Sequence, residues 1–340
     1  MREVRLQVVP LVLSMMRHLI HILLLLTLSV TATQAQQFGT FWMTSPSSTN
    51  SSCQWFRRTF VATEHDSPRR ASICVATDSH FVLYVNGRNV STALYTSGYD
   101  AVGKPRTISI TYDVTRFLRR DSNTVALLLC PPVSRHMTVD NKTMVAPPKI
   151  AVNFFGTTAT NHYFSYSSSD GWLCHSASTI ITPDGELMDG RHAMLPPSYG
   201  DMTMPSWHPV VGVAAFDTDV VTDYGIASES IYGYRSKDYN ILTDNSIRTH
   251  SIHRPRYFDP EPKQVVYDFS PGFYGFVRVT LRGCRRGEII HIGNLTYICT
   301  GEMDEQAFCR FTPQFARKVV ISGDRWFRIE QVQEVEAIGI

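Results

Sequence analysis

Apolar and polar residues alternate with a period of two along most of the chain beyond residue 36. Ile73 and Val75 alternate with small or polar neighbours, and Phe81, Leu83 and Val85 follow. Ile108, Ile110 and Tyr112 repeat the pattern, as do Val125, Leu127 and Leu129. Later blocks carry Val152 and Phe154, then Tyr163 and Tyr166, then Val265 to Phe269. Val277, Val279 and Leu281 interleave with Arg278, Thr280 and Arg282. A period of two puts alternate side chains on opposite faces of a strand, one buried and one wet. No stretch beyond residue 36 carries the spacing of a long amphipathic helix. Asn86-Gly87 closes the strand ending at Val85, and both residues tolerate positive φ, which predicts a tight hairpin. Asp113 or Thr115 can cap one short helical turn before Asp121-Ser122-Asn123.

Many short strands separated by turn residues predict an all-β fold of two antiparallel β-sandwich domains. The polar stretch from Ser236 to Pro262, with Pro255 and Pro260, separates them. The first sandwich is expected over residues 36–235 and the second over 236–340. Residues 183–209 read as a long irregular excursion, and a loop of that length is usually functional or packs on itself. Residues 1–35 have a different character. Arg17 and His18 precede an apolar run from Leu19 to Val30, followed by Thr33 and Ala35. This is the order of a secretory signal peptide. The alternative, a membrane anchor, needs about 20 apolar residues, more than this run provides. The expected product is exported to the periplasm, cell surface or medium, with no membrane span after cleavage.

Of the 340 residues, 43% are hydrophobic and 18% charged, a globular composition. The formal charge is +2, and without residues 1–35, which hold three Arg and one Glu, basic and acidic residues balance. Nucleic acid is therefore not an expected partner. The seven cysteines leave at least one without an intrachain partner, and none falls in a C-x-x-C pair. Cys74 and Cys130, within apolar runs, are expected to be buried thiols. Cys299 and Cys309 are close enough to bridge across a hairpin. Export permits disulfides without requiring them.

The sequence lacks H-E-x-x-H, G-x-S-x-G and G-x-x-x-x-G-K, so zinc-protease, serine-hydrolase and P-loop chemistry have no support. One segment has the residue types of sugar recognition. Asp170-Gly171-Trp172 precedes Pro183-Asp184-Gly185-Glu186-Leu187-Met188-Asp189-Gly190-Arg191, and Trp207 follows. A pyranose presents an apolar face to an indole and vicinal hydroxyls to a carboxylate or guanidinium. Trp172, Glu186, Asp189, Arg191 and Trp207 are the candidate ligand-binding residues. On the alternative reading, Asp189 and Arg191 form a structural ion pair and both Trp belong to the core.

The same residues carry a resemblance. Ala71 to Asp78, Phe81 to Gly87 and Thr111 to Thr115 look like the N-terminal domain of bacterial α-L-rhamnosidases. So does the order Asp170-Gly-Trp172, Gly185-Glu186, Asp189-Gly-Arg191 and Trp207-His-Pro-Val210. Tyr267-Asp-Phe269, Gly275 to Val279, Gly287 to Ile290 and Arg325 to Ile329 resemble the concanavalin-like domain that follows in those enzymes. The resemblance implies jelly-roll and concanavalin-like sandwiches. Members of that family continue into an (α/α)6 barrel that supplies the catalytic carboxylates, so no catalytic residue carries over. Some related modules bind rhamnose with calcium, so the resemblance admits calcium without assigning ligands. No other cofactor is expected.

The leading expectation is an exported, non-catalytic carbohydrate-binding or accessory protein whose partner is a glycan or rhamnose-containing polysaccharide. The alternative is a fragment or separately encoded part of an α-L-rhamnosidase that works with a catalytic domain on another chain. A purely structural β protein is the third reading.

Overall fold

The computed structural model describes residues 42–47, 52–62, 66–100, 106–132, 148–168, 171–197, 206–213, 221–227 and 246–340. The expected signal peptide, the boundary at 235/236, Asp170, and residues 198–205 of the excursion lie outside these. Among the described residues the structure is β throughout, with short 3-10 turns at Thr115–Phe117, Gly190–His192 and Ile329–Gln331. The all-β expectation therefore holds.

Two hydrophobic cores lie on opposite faces of a middle layer of strands. That layer includes Ser52–Val61, His80–Val85, Ser122–Cys130 and Leu173–Thr182, paired antiparallel. Phe56, Phe81, Leu83, Val85, Val125, Leu127 and Leu129 point into one core. Their neighbours Trp55, Val82, Tyr84, Ala126 and Leu128 point into the other. All nine residues of Ser122–Cys130 are buried. Its sequence Val-Ala-Leu-Leu-Leu is apolar at every step because both faces are covered, where a one-sided sheet would alternate with polar residues.

The first core is closed by an outer sheet ordered Val211–Val213, Trp42–Thr44, Ile150–Thr158, Pro68–Thr77, Arg106–Asp113 and Val221–Ala227. Its register sets Ile73 opposite Phe154 and Val75 opposite Val152, so their side chains reach the same core. The second core is closed by the C-terminal strands, centred on the long strand Gln264–Arg282. There Val277, Val279 and Leu281 are buried. Arg278 and Arg282 on the opposite face pair across the sheet with Glu336 (2.9 Å) and Asp304 (2.6 Å). Because the middle layer serves both cores, residues 40–340 hold together as one compact unit.

Local expectations hold with additions. Asn86 and Gly87 have φ of 53° and 78°, and Val85 pairs with Arg88 across the turn. The Asn86 amide also donates to the Phe117 carbonyl (2.8 Å) and accepts from Thr124 N–H (2.9 Å), so the turn ties two other segments. The expected helical turn is the 3-10 turn Thr115–Phe117, where Asp113 accepts from Thr115 N–H (2.9 Å).

Two cysteine expectations are corrected. Cys130 is not a thiol: it forms a disulfide with Cys53, which the register of the two strands places opposite it. Cys299 and Cys309 are separate thiols. The strand Leu295–Ile298 pairs with Ile289–Ile292, whereas Asp304–Phe308 pairs with Gln264–Arg282, so the two are not hairpin partners.

Candidate functional site

The segment Gly185 to Arg191 is a structural joint. The strand Gly185–Asp189 pairs antiparallel with Leu173–Thr182 and parallel with Leu295–Ile298, which links the middle layer to the C-terminal strands. Gly185 has φ of 145°, and a Cβ there would collide with the Asn294 carbonyl oxygen. Only glycine admits so close an approach. The buried Glu186 carboxylate turns inward. Its Oε1 accepts from the N–H groups of Arg310 (3.0 Å), Phe311 (2.5 Å) and Thr312 (2.8 Å). The Thr312 hydroxyl (3.1 Å) and the Cys309 thiol (3.2 Å) also donate to it. Successive N–H groups converging on one oxygen form an anion nest, filled here by the protein's own carboxylate.

Asp189 folds back on its own turn. It accepts from Arg191 N–H (3.1 Å) and from the guanidinium at Nε (2.9 Å) and Nη2 (2.8 Å), while His192 Nδ1 lies 3.0 Å away. The Arg191 hydrogen bonds hold the Asp189 carboxyl well below the usual range, at about 2.

The two tryptophans occupy different cores. Trp172 is 2% exposed and lies in the core under the outer sheet, with Nε1 donating to the Ser167 carbonyl (3.4 Å). Trp207 is 9% exposed and lies in the other core. The Arg57 guanidinium sits 4.3 Å from its ring centroid, and the His175 ring meets it edge-on at 5.5 Å. Burial, with a small effect from His208, lowers the His175 pKa. The five candidate residues are thus not gathered on one surface. Glu186 and both Trp are buried, and Asp189 and Arg191 engage each other.

An open cleft lined by aromatic and polar side chains lies elsewhere. The hairpin of Ile150–Thr158 and Tyr163–Ser167 turns through Asn161, whose φ is 62°. Its aromatic side chains meet Phe60 from the middle layer. Phe60 lies 4.9 Å from Phe154 and 5.0 Å from Tyr166 between ring centroids. The Arg58 guanidinium covers both Phe60 (4.6 Å) and Tyr166 (5.4 Å). The cleft holds about 240 Å³ and is lined by Asp66 and His162, and by the buried Asn123, whose amide donates to the Arg119 carbonyl (2.9 Å). Tyr163 and Tyr166 are 58% and 42% exposed. Reading the sequence placed these two tyrosines on a strand but did not single them out. The available signal was Tyr163-Phe-Ser-Tyr166, an aromatic-rich strand where the alternation calls for polar residues.

With this geometry in hand, comparison with known proteins is direct. Residues 66–227 match the Alpha-L-rhamnosidase N-terminal domain. The chain as a whole resembles the N-terminal β region of the α-L-rhamnosidases. It superposes on the α-L-rhamnosidase from Dictyoglumus thermophilum with a TM-score of 0.69 at 19% identity, covering 89% of this chain and 36% of that one. The Streptomyces avermitilis α-L-rhamnosidase, solved with L-rhamnose, gives 0.62 at 20% identity, covering 85% and 28%. The Aspergillus terreus α-L-rhamnosidase gives 0.65 at 15% identity, covering 88% and 36%. At these identities the superpositions establish the fold. The chain spans about a third of the length of these enzymes. No curated protein sequence matches it. The rhamnosidase N-terminal domain match includes the hairpin of the aromatic cleft and the segment Gly185 to Arg191, while Phe60, Leu295–Ile298 and Arg310 to Thr312 lie outside it.

Proposed function

We propose that this chain is an exported, non-catalytic carbohydrate-binding protein of the rhamnosidase type, and that it holds its glycan in the cleft between Phe60, Tyr163 and Tyr166. The cleft is the observation that carries the reading. It places part-exposed aromatic side chains beside an acidic and an imidazole side chain, groups suited to the apolar face and the hydroxyls of a pyranose. The resemblance to the rhamnosidase N-terminal region supports rhamnose or a rhamnose-containing polysaccharide as the ligand class. Asp189 and Arg191 offer the remaining solvent-facing polar groups among the residues singled out from sequence, and they rank second to the cleft. Residues 1–35 direct export, and N-terminal sequencing of the secreted protein is expected to begin just after Ala35.

Calorimetric titration of the purified chain with L-rhamnose and rhamnose oligosaccharides tests the reading. Saturable binding that Tyr166→Ala removes from a folded protein is the expected result. Binding unchanged in Tyr166→Ala moves the site elsewhere, and no binding to any sugar of a glycan array ends the proposal. On a second reading the chain is a fragment or separately encoded part of an α-L-rhamnosidase that needs a catalytic barrel. The share of the superposed enzymes that it spans favours this second reading. Release of nitrophenol from an aryl α-L-rhamnoside, absent with the chain alone and present with an added barrel, would establish it.

A further inference from the structure

Two thiols and a carboxylate converge inside the C-terminal strands. Cys284 follows the strand Gln264–Arg282, Cys299 follows Leu295–Ile298, and Glu305 lies on Asp304–Phe308. One ligand atom from each lies within 4.8 Å of the others, and all three residues are buried. The main chain fixes this arrangement. Gly283 N–H donates to the Met303 carbonyl (2.8 Å), and Gly287 N–H to that of Cys299 (2.9 Å).

Glu305 is only 6% exposed, and its two carboxylate oxygens are treated unequally. Oε2 accepts from the Tyr297 hydroxyl (2.9 Å) and Thr300 N–H (2.6 Å). Oε1 is buried and has no hydrogen-bond partner. Both donors to Oε2 are neutral, so this interior carboxylate has neither a cation nor a full set of donors. A buried, half-satisfied carboxylate is costly unless a positive group completes it.

We propose that Cys284, Cys299 and Glu305 bind a zinc-class divalent cation through two thiolate sulfurs and Glu305 Oε1. Thiolate ligands select zinc and discriminate against calcium and magnesium, which take oxygen. Each thiol gives up its proton to solvent as it ligates, and no electron changes hands. Zinc is four-coordinate, so three protein ligands leave one corner for a water. The Tyr297 hydroxyl, bonded to Oε2, orients the carboxylate from outside. The ion would clamp the turn after Leu281 to the turn after Ile298. In sequence the two cysteines are too far apart to resemble a paired-cysteine motif, and the third ligand is one glutamate among many.

The test uses the full chain, reduced, loaded with zinc and desalted. Metal analysis is expected to give one zinc ion per chain, retained in Cys309→Ser, whose thiol bonds Glu186 instead. Cys284→Ser and Cys299→Ser are expected to lose it. Tyr297→Phe should weaken zinc affinity by about tenfold. Cobalt loaded into wild type should show a sulfur-to-metal charge-transfer band, a readout that needs no variant to fold. Absence of that band overturns the proposal, as does zinc content equal in wild type and Cys284→Ser. A Cys284–Cys299 disulfide in the chain as purified, located by peptide mapping in addition to Cys53–Cys130, also overturns it.

Discussion

The Glu186 joint and the hairpin cleft use the same residue types for opposite ends. Both combine carboxylates, arginine and aromatic rings. At the joint Glu186 fills a nest of main-chain N–H groups from a distant segment, and the part-exposed Asp189 is held by Arg191 of its own turn. At the cleft Tyr163 and Tyr166 are part-exposed, and the Arg58 guanidinium stacks over Phe60 and Tyr166. A carboxylate already satisfied inside the protein has no hydrogen-bonding capacity left for a ligand, whereas an exposed ring beside polar groups does. Satisfaction, more than residue type, separates scaffold from site.

Breaking the joint should produce the largest effect. Glu186→Ala orphans three successive N–H groups beneath a buried loop, so stability is expected to fall by about 3 kcal/mol. Urea unfolding followed by tryptophan fluorescence reads this directly. A loss below about 0.5 kcal/mol, the range of ordinary surface changes, would mean that water replaces the carboxylate and that the joint is not structural. Glu186→Gln keeps the shape but loses the charge and one acceptor, and should fall between wild type and Ala.

Breaking the cleft should give the complementary result. Tyr166→Ala removes one stacking face and is expected to weaken glycan affinity about tenfold or more, equivalent to about 1.4 kcal/mol. Its side chain is already part-exposed, so stability should change by about 1 kcal/mol or less. Equal losses of binding and stability would erase the distinction between the two regions.

Much of this fold was legible in the sequence, and most of the site was not. Period-two runs and Asn86-Gly87 report local geometry, and those elements form where expected. Val125, Leu127 and Leu129 read as one face of an alternating strand, whereas Ala126 and Leu128 between them are also apolar and the structure buries both faces. The joint was visible as a cluster of chemistry, yet its role depends on Arg310 to Thr312, more than a hundred residues away. Nothing local in Glu186 tells a nest-filling carboxylate from one that meets a sugar. The cleft was missed for a related reason. Phe60 comes from the middle layer and Phe154 and Tyr166 from the outer sheet, and only packing of one sheet on the other brings the rings together. Cys53 and Cys130 were likewise legible as residues but not as partners.

The smallest expected effect addresses Asp189, the joint residue nearest to a ligand-binding role. Its carboxyl is held at about 2, chiefly by the Arg191 hydrogen bonds, against an unfolded value near 4. A depressed carboxyl contributes stability above its unfolded pKa and loses it as pH falls through the folded value. Asp189→Asn should therefore cost about 1 kcal/mol or less at neutral pH, the scale of a part-exposed ion pair. The gap between wild type and variant should stay constant above about pH 5 and close as pH falls from about 4 toward 2. Paired urea titrations across that window measure it. A gap independent of pH would mean that the carboxylate does not act through its charge. If Asp189 contacts a glycan instead, the outcome reverses. The variant would unfold like wild type at every pH and lose affinity in calorimetry, so the same protein decides whether this end of the joint belongs with the scaffold or with the site.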